Sequence, residues 1–197
     1  MNVKTIDKQY VANTYNRFPV EIVGGKGSEC FDADGKRYID MGSGIGVTAF
    51  GHADPDWVAA VTAQLTKVSH TSNLYYTAPD AKLAELLCQR TGMKKVFFGN
   101  SGAEANECAL KVARRYGEAT GRATIVTLWN SFHGRTIATL AATGQEHYHE
   151  LFQPLTPGFV HVEAGDIEGL KKIVAETPVA GIMMECVQGE GGVYVLD

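Results

Sequence analysis

Cysteine is scarce in this chain: four in 197 residues, at Cys30, Cys88, Cys108 and Cys186, with no CxxC pair. Such spacing offers neither a disulfide framework nor a thiolate metal cage, so the four read as reduced or buried thiols. Charge of one sign is equally lacking. Lys plus Arg total 18 against 22 Asp plus Glu, a net −4, which excludes the concentrated basic surface that nucleic acid or an anionic membrane would require. Long apolar runs are absent too: the longest stretch free of polar side chains is residues 178–184, far below the ~20 residues of a membrane span. The first eight residues hold no apolar segment of the secretory kind, which makes the cytoplasm the expected compartment. No GxxxxGK loop, GxSxG elbow or HExxH frame occurs, and His147 and His149 lack a third ligand, so no metal is expected.

What is present is a globular composition, 45% hydrophobic and 20% charged with 22 glycines. Its character changes near residue 50. Before that point three short β-prone runs, 20–23, 28–31 and 36–41, with an Asp32-Ala33-Asp34-Gly35 turn between the last two, predict a small antiparallel unit. Asp54-Pro55 is an N-cap followed by proline at the first helical position, and Val58, Val61, Leu65 and Val68 carry one apolar stripe through residue 69. A second helix is expected over 79–91, closed by Gly92. From residue 95 onward apolar runs alternate with helical patterns. Expected strands are 96–98, 123–128, 159–162 and 179–187, with helices over 103–119, from 136, and over 166–176. This alternation predicts an α/β fold with a mostly parallel sheet covered by helices, and the domain division expected is 1–53 and 54–197.

Ligands of open α/β sheets bind beyond the carboxyl ends of the strands, where this pattern puts three loops: 99–103, 129–135 and 188–192. In the first, Ser101-Gly102-Ala103-Glu104 can present first-turn amides to a phosphate, or can be a capping box in which Glu104 folds back on the Ser101 amide. In the second, Phe132 could carry a planar ligand while Arg135 forks a carboxylate; equally, the ring can be packing and the arginine solvated. The third places Glu190 among glycines after an apolar strand that carries Glu185, a carboxylate that needs a partner or a task.

Jointly these segments resemble the class III, or ω-amino acid, pyridoxal phosphate aminotransferases, and their acetylornithine-using members most closely. The matching motifs are GKRYID (35–40), Gly51-His52, HTSNLYY (70–76), NSGAEANE (100–107), SFHGRT (131–136) and ECVQGEGG (185–192), in family order over essentially the whole chain. The resemblance implies the aspartate-aminotransferase-like, fold type I large domain after a small N-terminal β segment. It implies pyridoxal phosphate as cofactor, its phosphate held around Ser101, Gly102 and Ala103, its ring on Phe132, and His133 and Glu185 in its shell. Arg135, helped by Tyr15, would take the substrate α-carboxylate, and Glu190 would pair an arginine from the family's C-terminal part. Amino-acid and 2-oxo-acid substrates and a homodimer are implied as partners. Ornithine, succinylornithine and 4-aminobutyrate stay open as alternative donors.

Two positions depart from the family pattern: Ala103 stands where threonine is usual, and Cys186 where proline is. The chain also stops at Asp197, about half the family's usual length, before the lysine that forms the Schiff base and the aspartate that faces the pyridine nitrogen. No lysine present substitutes: Lys94 and Lys95 precede an expected strand and Lys111 lies two turns into a helix. The 197 residues alone are therefore expected to be inactive in amino transfer.

Overall fold

The structure, a computed structural model, describes residues 2–196 and divides into two units, residues 1–81 and 82–197. The first opens with helix α1 (Val3–Tyr10), capped by the Asn2 side chain, which sequence reading did not anticipate. Three antiparallel strands follow, β1 (Ile22–Lys26), β2 (Glu29–Asp32) and β3 (Arg37–Ile39), ordered as they occur. The predicted turn has a local cause: the Asp32 carboxylate accepts from the amides of Asp34 (3.0 Å) and Lys36 (2.8 Å), an Asx arrangement that folds the chain back. In a short turn α2 (Ser43–Gly46) in the glycine-rich link all four residues have positive φ, Ser43 and Ile45 among them.

Helix α3 (Pro55–Leu65) begins as expected, with Asp54 capping the Trp57 amide at 2.8 Å, but ends four residues before Ser69. There Thr66 donates its hydroxyl to the Ala63 carbonyl, a side-chain bond that competes with the helical ladder. Helix α4 (Ala78–Thr91) spans the division between the units.

The second unit holds the parallel sheet. Helix α5 (Gly102–Gly117) runs into a tight turn (Glu118–Thr120); β4 (Thr124–Leu128) then leads to α6 (Ile137–Ala142) and α7 (Glu146–His149). Strand β5 (Phe159–Val162), helix α8 (Ile167–Glu176) and β6 (Val179–Ile182) complete a sheet of order β5-β4-β6, all parallel. A small antiparallel pair, β7 (Val187–Gln188) and β8 (Tyr194–Val195), closes the described chain. Alternation along the central strand sorts its side chains between two faces. Val126 and Leu128, with Val162, pack against Leu170 and Ile173 of α8, while Ile125 turns to Ala109, Leu110 and Ala113 of α5.

Two expected strands differ. Residues 96–98 form no strand, since no described residue pairs with them, and Phe97 and Phe98 stay 59% and 43% exposed; a strand exists only through its ladder. The last strand stops at Ile182 rather than Val187. Met183 still donates to the Val126 carbonyl (2.8 Å), after which the chain leaves the sheet to pair β7 with β8. Glu185 accordingly sits in an irregular link and not on the buried strand.

Candidate active site

The three predicted loops meet at the carboxyl end of β4. Glycine makes two of these approaches possible. At Gly144 a Cβ would stand 2.1 Å from the Leu128 carbonyl oxygen, and at Gly134, with φ +134°, one would stand 2.6 Å from Thr139 Oγ1 and 2.8 Å from Ala103 Cβ. The first lets residue 144 lie beside the end of β4, where its carbonyl accepts from the Asn130 amide (2.7 Å) and its amide donates to Ser131 Oγ (3.1 Å). The second lays the 132–135 loop on the first turn of α5, a contact reinforced where Asn106 Nδ2 donates to the His133 carbonyl at 2.8 Å. The third loop is tied in by Asn130, whose Nδ2 donates to the Gly191 carbonyl (3.0 Å), and by Gln188, whose Nε2 donates to the Trp129 carbonyl (2.9 Å).

At the start of α5 Ser101 caps the Glu104 amide through Oγ at 3.2 Å. Glu104 folds back as a capping residue does, but onto the Asn100 amide (2.5 Å) and Nδ2 (2.9 Å) rather than onto Ser101. That correction has a chemical consequence. Helix geometry leaves the first-turn amides at Gly102 and Ala103 without intrahelical acceptors, and the Glu104 carboxylate is turned to the residue before the cap. The Ser101 hydroxyl and these amides form a cradle suited to a phosphate group, with the helix dipole adding to the attraction.

Phe132 is half-buried beside that cradle. Its amide donates to Glu185 Oε2 at 3.1 Å, so the carboxylate that needed a partner has one in the loop it was expected to serve. Burial holds the Glu185 carboxyl above its ordinary range, and the Phe132 bond opposes that shift. The Phe132 ring meets Tyr148 edge-on, with centroids 5.6 Å apart, and Arg135 places its guanidinium carbon 5.8 Å from the ring centre. Glu190 accepts from Gln145 Nε2 (2.6 Å) and from the Tyr148 hydroxyl (2.7 Å). The Gln145 bond, with those of Tyr148 and the charges of His147 and Arg135, keeps its carboxyl below the usual value against a smaller cost of burial.

His133 is sealed, 4% exposed, with its amide on Thr143 Oγ1 (2.9 Å) and its Nε2 meeting no hydrogen-bond partner among the described residues. Burial, with the neighbouring His161, pushes it down to about 4, so the ring is neutral at pH 7. Tyr15 lies in the first unit, 59% exposed, with Arg17 over its ring at 5.7 Å. Phe132, Arg135, Glu185 and Glu190 are thus brought together with the 101–103 cradle, and Tyr15 belongs to the other unit. Sequence reading missed Gln145 and Tyr148; the only signal was their position soon after Gly144, where the backbone approach admits no side chain.

The class-III aminotransferase family profile matches residues 10–197. The chain belongs to this family. It is 54% identical to the acetylornithine aminotransferase of Haemophilus ducreyi over 99% of its own length and 50% of that protein's. It is 48% identical to that of Methanocaldococcus jannaschii, over 98% of this chain and 49% of the other. Among solved structures it is similar to the ornithine aminotransferase of Toxoplasma gondii, with a TM-score of 0.91 at 30% identity, covering 99% of this chain and 47% of that one. The N-acetylornithine aminotransferase of Stenotrophomonas maltophilia matches with a TM-score of 0.78 at 34% identity, over 98% and 47% of the two chains. This class-III chain spans about half the length of the curated relatives it matches. Its α/β architecture with a parallel sheet is that of these aminotransferases, and no described helix is long and apolar enough to cross a membrane.

Proposed function

We propose that this chain supplies the phosphate-binding and carboxylate-binding part of a pyridoxal phosphate aminotransferase that moves the ω-amino group of N-acetylornithine to 2-oxoglutarate. The observation that carries the reading is the convergence of an anion cradle, an aromatic ring and a guanidinium on one end of one sheet. Ser101, Gly102 and Ala103 would hold the cofactor phosphate; the missing threonine hydroxyl at Ala103 leaves that shell one donor poorer. Phe132 would support the ring, its loop fixed by Glu185. Neutral His133 would line the pocket behind it. When bound, the cofactor supplies the electron sink that allows the amino group to change carriers. Arg135 would orient each substrate through a planar two-point fork on its carboxylate, with Tyr15 assisting, and Glu190 would keep a second negative charge beside that fork.

Relatives named for N-acetylornithine support that donor over ornithine, succinylornithine and 4-aminobutyrate. A cytoplasmic homodimer and the domain division at residues 53 and 54 belong to the same proposal. Residues 1–197 alone are expected not to turn over: Lys111, on α5, lies about two turns beyond the 101–103 cradle.

The test joins this chain to the C-terminal half of the Haemophilus ducreyi enzyme and compares the four donors with 2-oxoglutarate. The acetylated donor should give the highest kcat/KM. Arg135→Lys should raise donor KM roughly ten- to hundredfold, because an ammonium cannot reproduce the fork. Unchanged kinetics would remove Arg135 from the site. In parallel the isolated chain is incubated with pyridoxal phosphate and reduced with borohydride; one stoichiometrically labelled lysine with turnover would overturn the expectation of inactivity.

A further inference from the structure

Tyr148 touches each of the three side chains on which the site turns. Its ring meets Phe132 edge-on at 5.6 Å, its hydroxyl donates to Glu190 Oε1 at 2.7 Å, and the Arg135 guanidinium, 5.8 Å from the centre of the same Phe132 ring, acts on that hydroxyl with its positive charge. Neutral tyrosine has one proton to give and lone pairs to offer, so one hydroxyl can accept from a guanidinium while donating to a carboxylate. Gln145 completes the arrangement from the same segment: its Nε2 donates to the other Glu190 oxygen at 2.6 Å and to the Ser131 carbonyl at 3.0 Å. Both oxygens of Glu190 are therefore engaged by neutral donors anchored to the 129–135 loop, although the third loop is 42 or more residues away in sequence.

We propose that Tyr148, backed by Gln145, is a positioning residue that ties Arg135 and Glu190 into one relay, so that a carboxylate arriving at Arg135 meets a guanidinium already aimed and a neighbouring negative charge already fixed. Without the relay an exposed arginine samples many rotamers, and ordering it on each binding event costs affinity. Without the two donors Glu190 would fold onto Arg135 directly and compete with the substrate carboxylate for the same fork. The relay holds the two charges near each other yet apart. Its function in substrate binding rests on the aminotransferase reading; its existence as a coupled unit does not.

The experiment has two arms. In the 197-residue chain, carbon-13 NMR follows the titration of the Glu190 carboxyl and the Tyr148 ring. The charged groups facing Glu190 are Arg135, His147 and Glu185. In Tyr148→Phe the Glu190 midpoint should move upward, and in Glu190→Gln the raised Tyr148 midpoint should fall back toward 10.0. Superimposable titrations in variant and parent would overturn the relay. In a holoenzyme built with this chain, Tyr148→Phe should raise KM for carboxylate-bearing substrates about tenfold, with kcat held within about twofold. A fall in kcat at constant KM would overturn the positioning role, since it would put the hydroxyl at the reacting atoms. Shifted titrations in a holoenzyme without transferase activity would uphold the relay and reject the aminotransferase reading alone.

Discussion

In the first unit a single described side chain, Cys30, is buried, whereas the second seals Leu110, Ile125, Val126, Leu128, Leu140 and Val162 from water. The first is shaped by local polar bonds: Asp32 organises its turn, and Asp40 accepts from the Gly42 and Ser43 amides and pairs with His52, all near 2.9 Å. Its apolar residues mostly face outward, Phe18 at 90%, Ile45 at 98% and Met41 at 89% exposure. Polar bonds exchanged against water define a conformation well but stabilise it little, whereas burial of apolar surface does the reverse. The candidate site stands on the unit that has a core, which is where a pre-organised set of donors can be held to sub-ångström tolerance.

The largest expected contrast is in amide exchange. Amides of β4 should exchange on the order of 10³ more slowly than those of β1, because only the former open with a packed core. Equal protection would abolish the distinction between the units. Next in size is a pH effect confined to the second unit. His133 stays neutral in the fold down to about 4, while the unfolded chain takes up its proton near 6.5. Stability should therefore be intact above 6.5 and fall as pH drops toward 4, by up to about 3 kcal/mol. Urea unfolding between pH 7 and 4.5 measures this, and His133→Phe should flatten the slope. The smallest effect is expected in the first unit. Arg37→Ala removes the ion pair with Glu29 (2.9 Å), but both partners are solvated, so the loss should stay below about 0.5 kcal/mol in the same assay.

What could be read from sequence followed the range of the interaction. The Asp54 cap, the Ser101 cap and the Asp32 turn all act within four residues and stand where composition put them. Residues 96–98 failed as a strand because pairing depends on a partner that local pattern does not specify. The 179–187 run was too long because apolar character continues past Ile182, while the ladder does not. In the site, Phe132, Arg135 and Glu190 could be named from motifs. Gln145 and Tyr148 could not, because their bonds to Glu190 span more than 40 residues and have no local signature.

The chain has two tryptophans, and the fold puts them in contrasting settings. Trp57 is 54% exposed on α3, in the unit with almost no core. Trp129, at the mouth of β4, lies stacked on His161 with ring centres 4.6 Å apart and planes within 25°. An exposed indole emits at longer wavelength than a sheltered one, and a neighbouring imidazole quenches once it is protonated. The stack therefore makes Trp129 an intrinsic fluorescent gauge of the carboxyl end of the sheet, spectrally separable from Trp57. Burial delays protonation of His161 to more acidic solution, so the gauge dims with acid and moves to longer wavelength with loss of the stack.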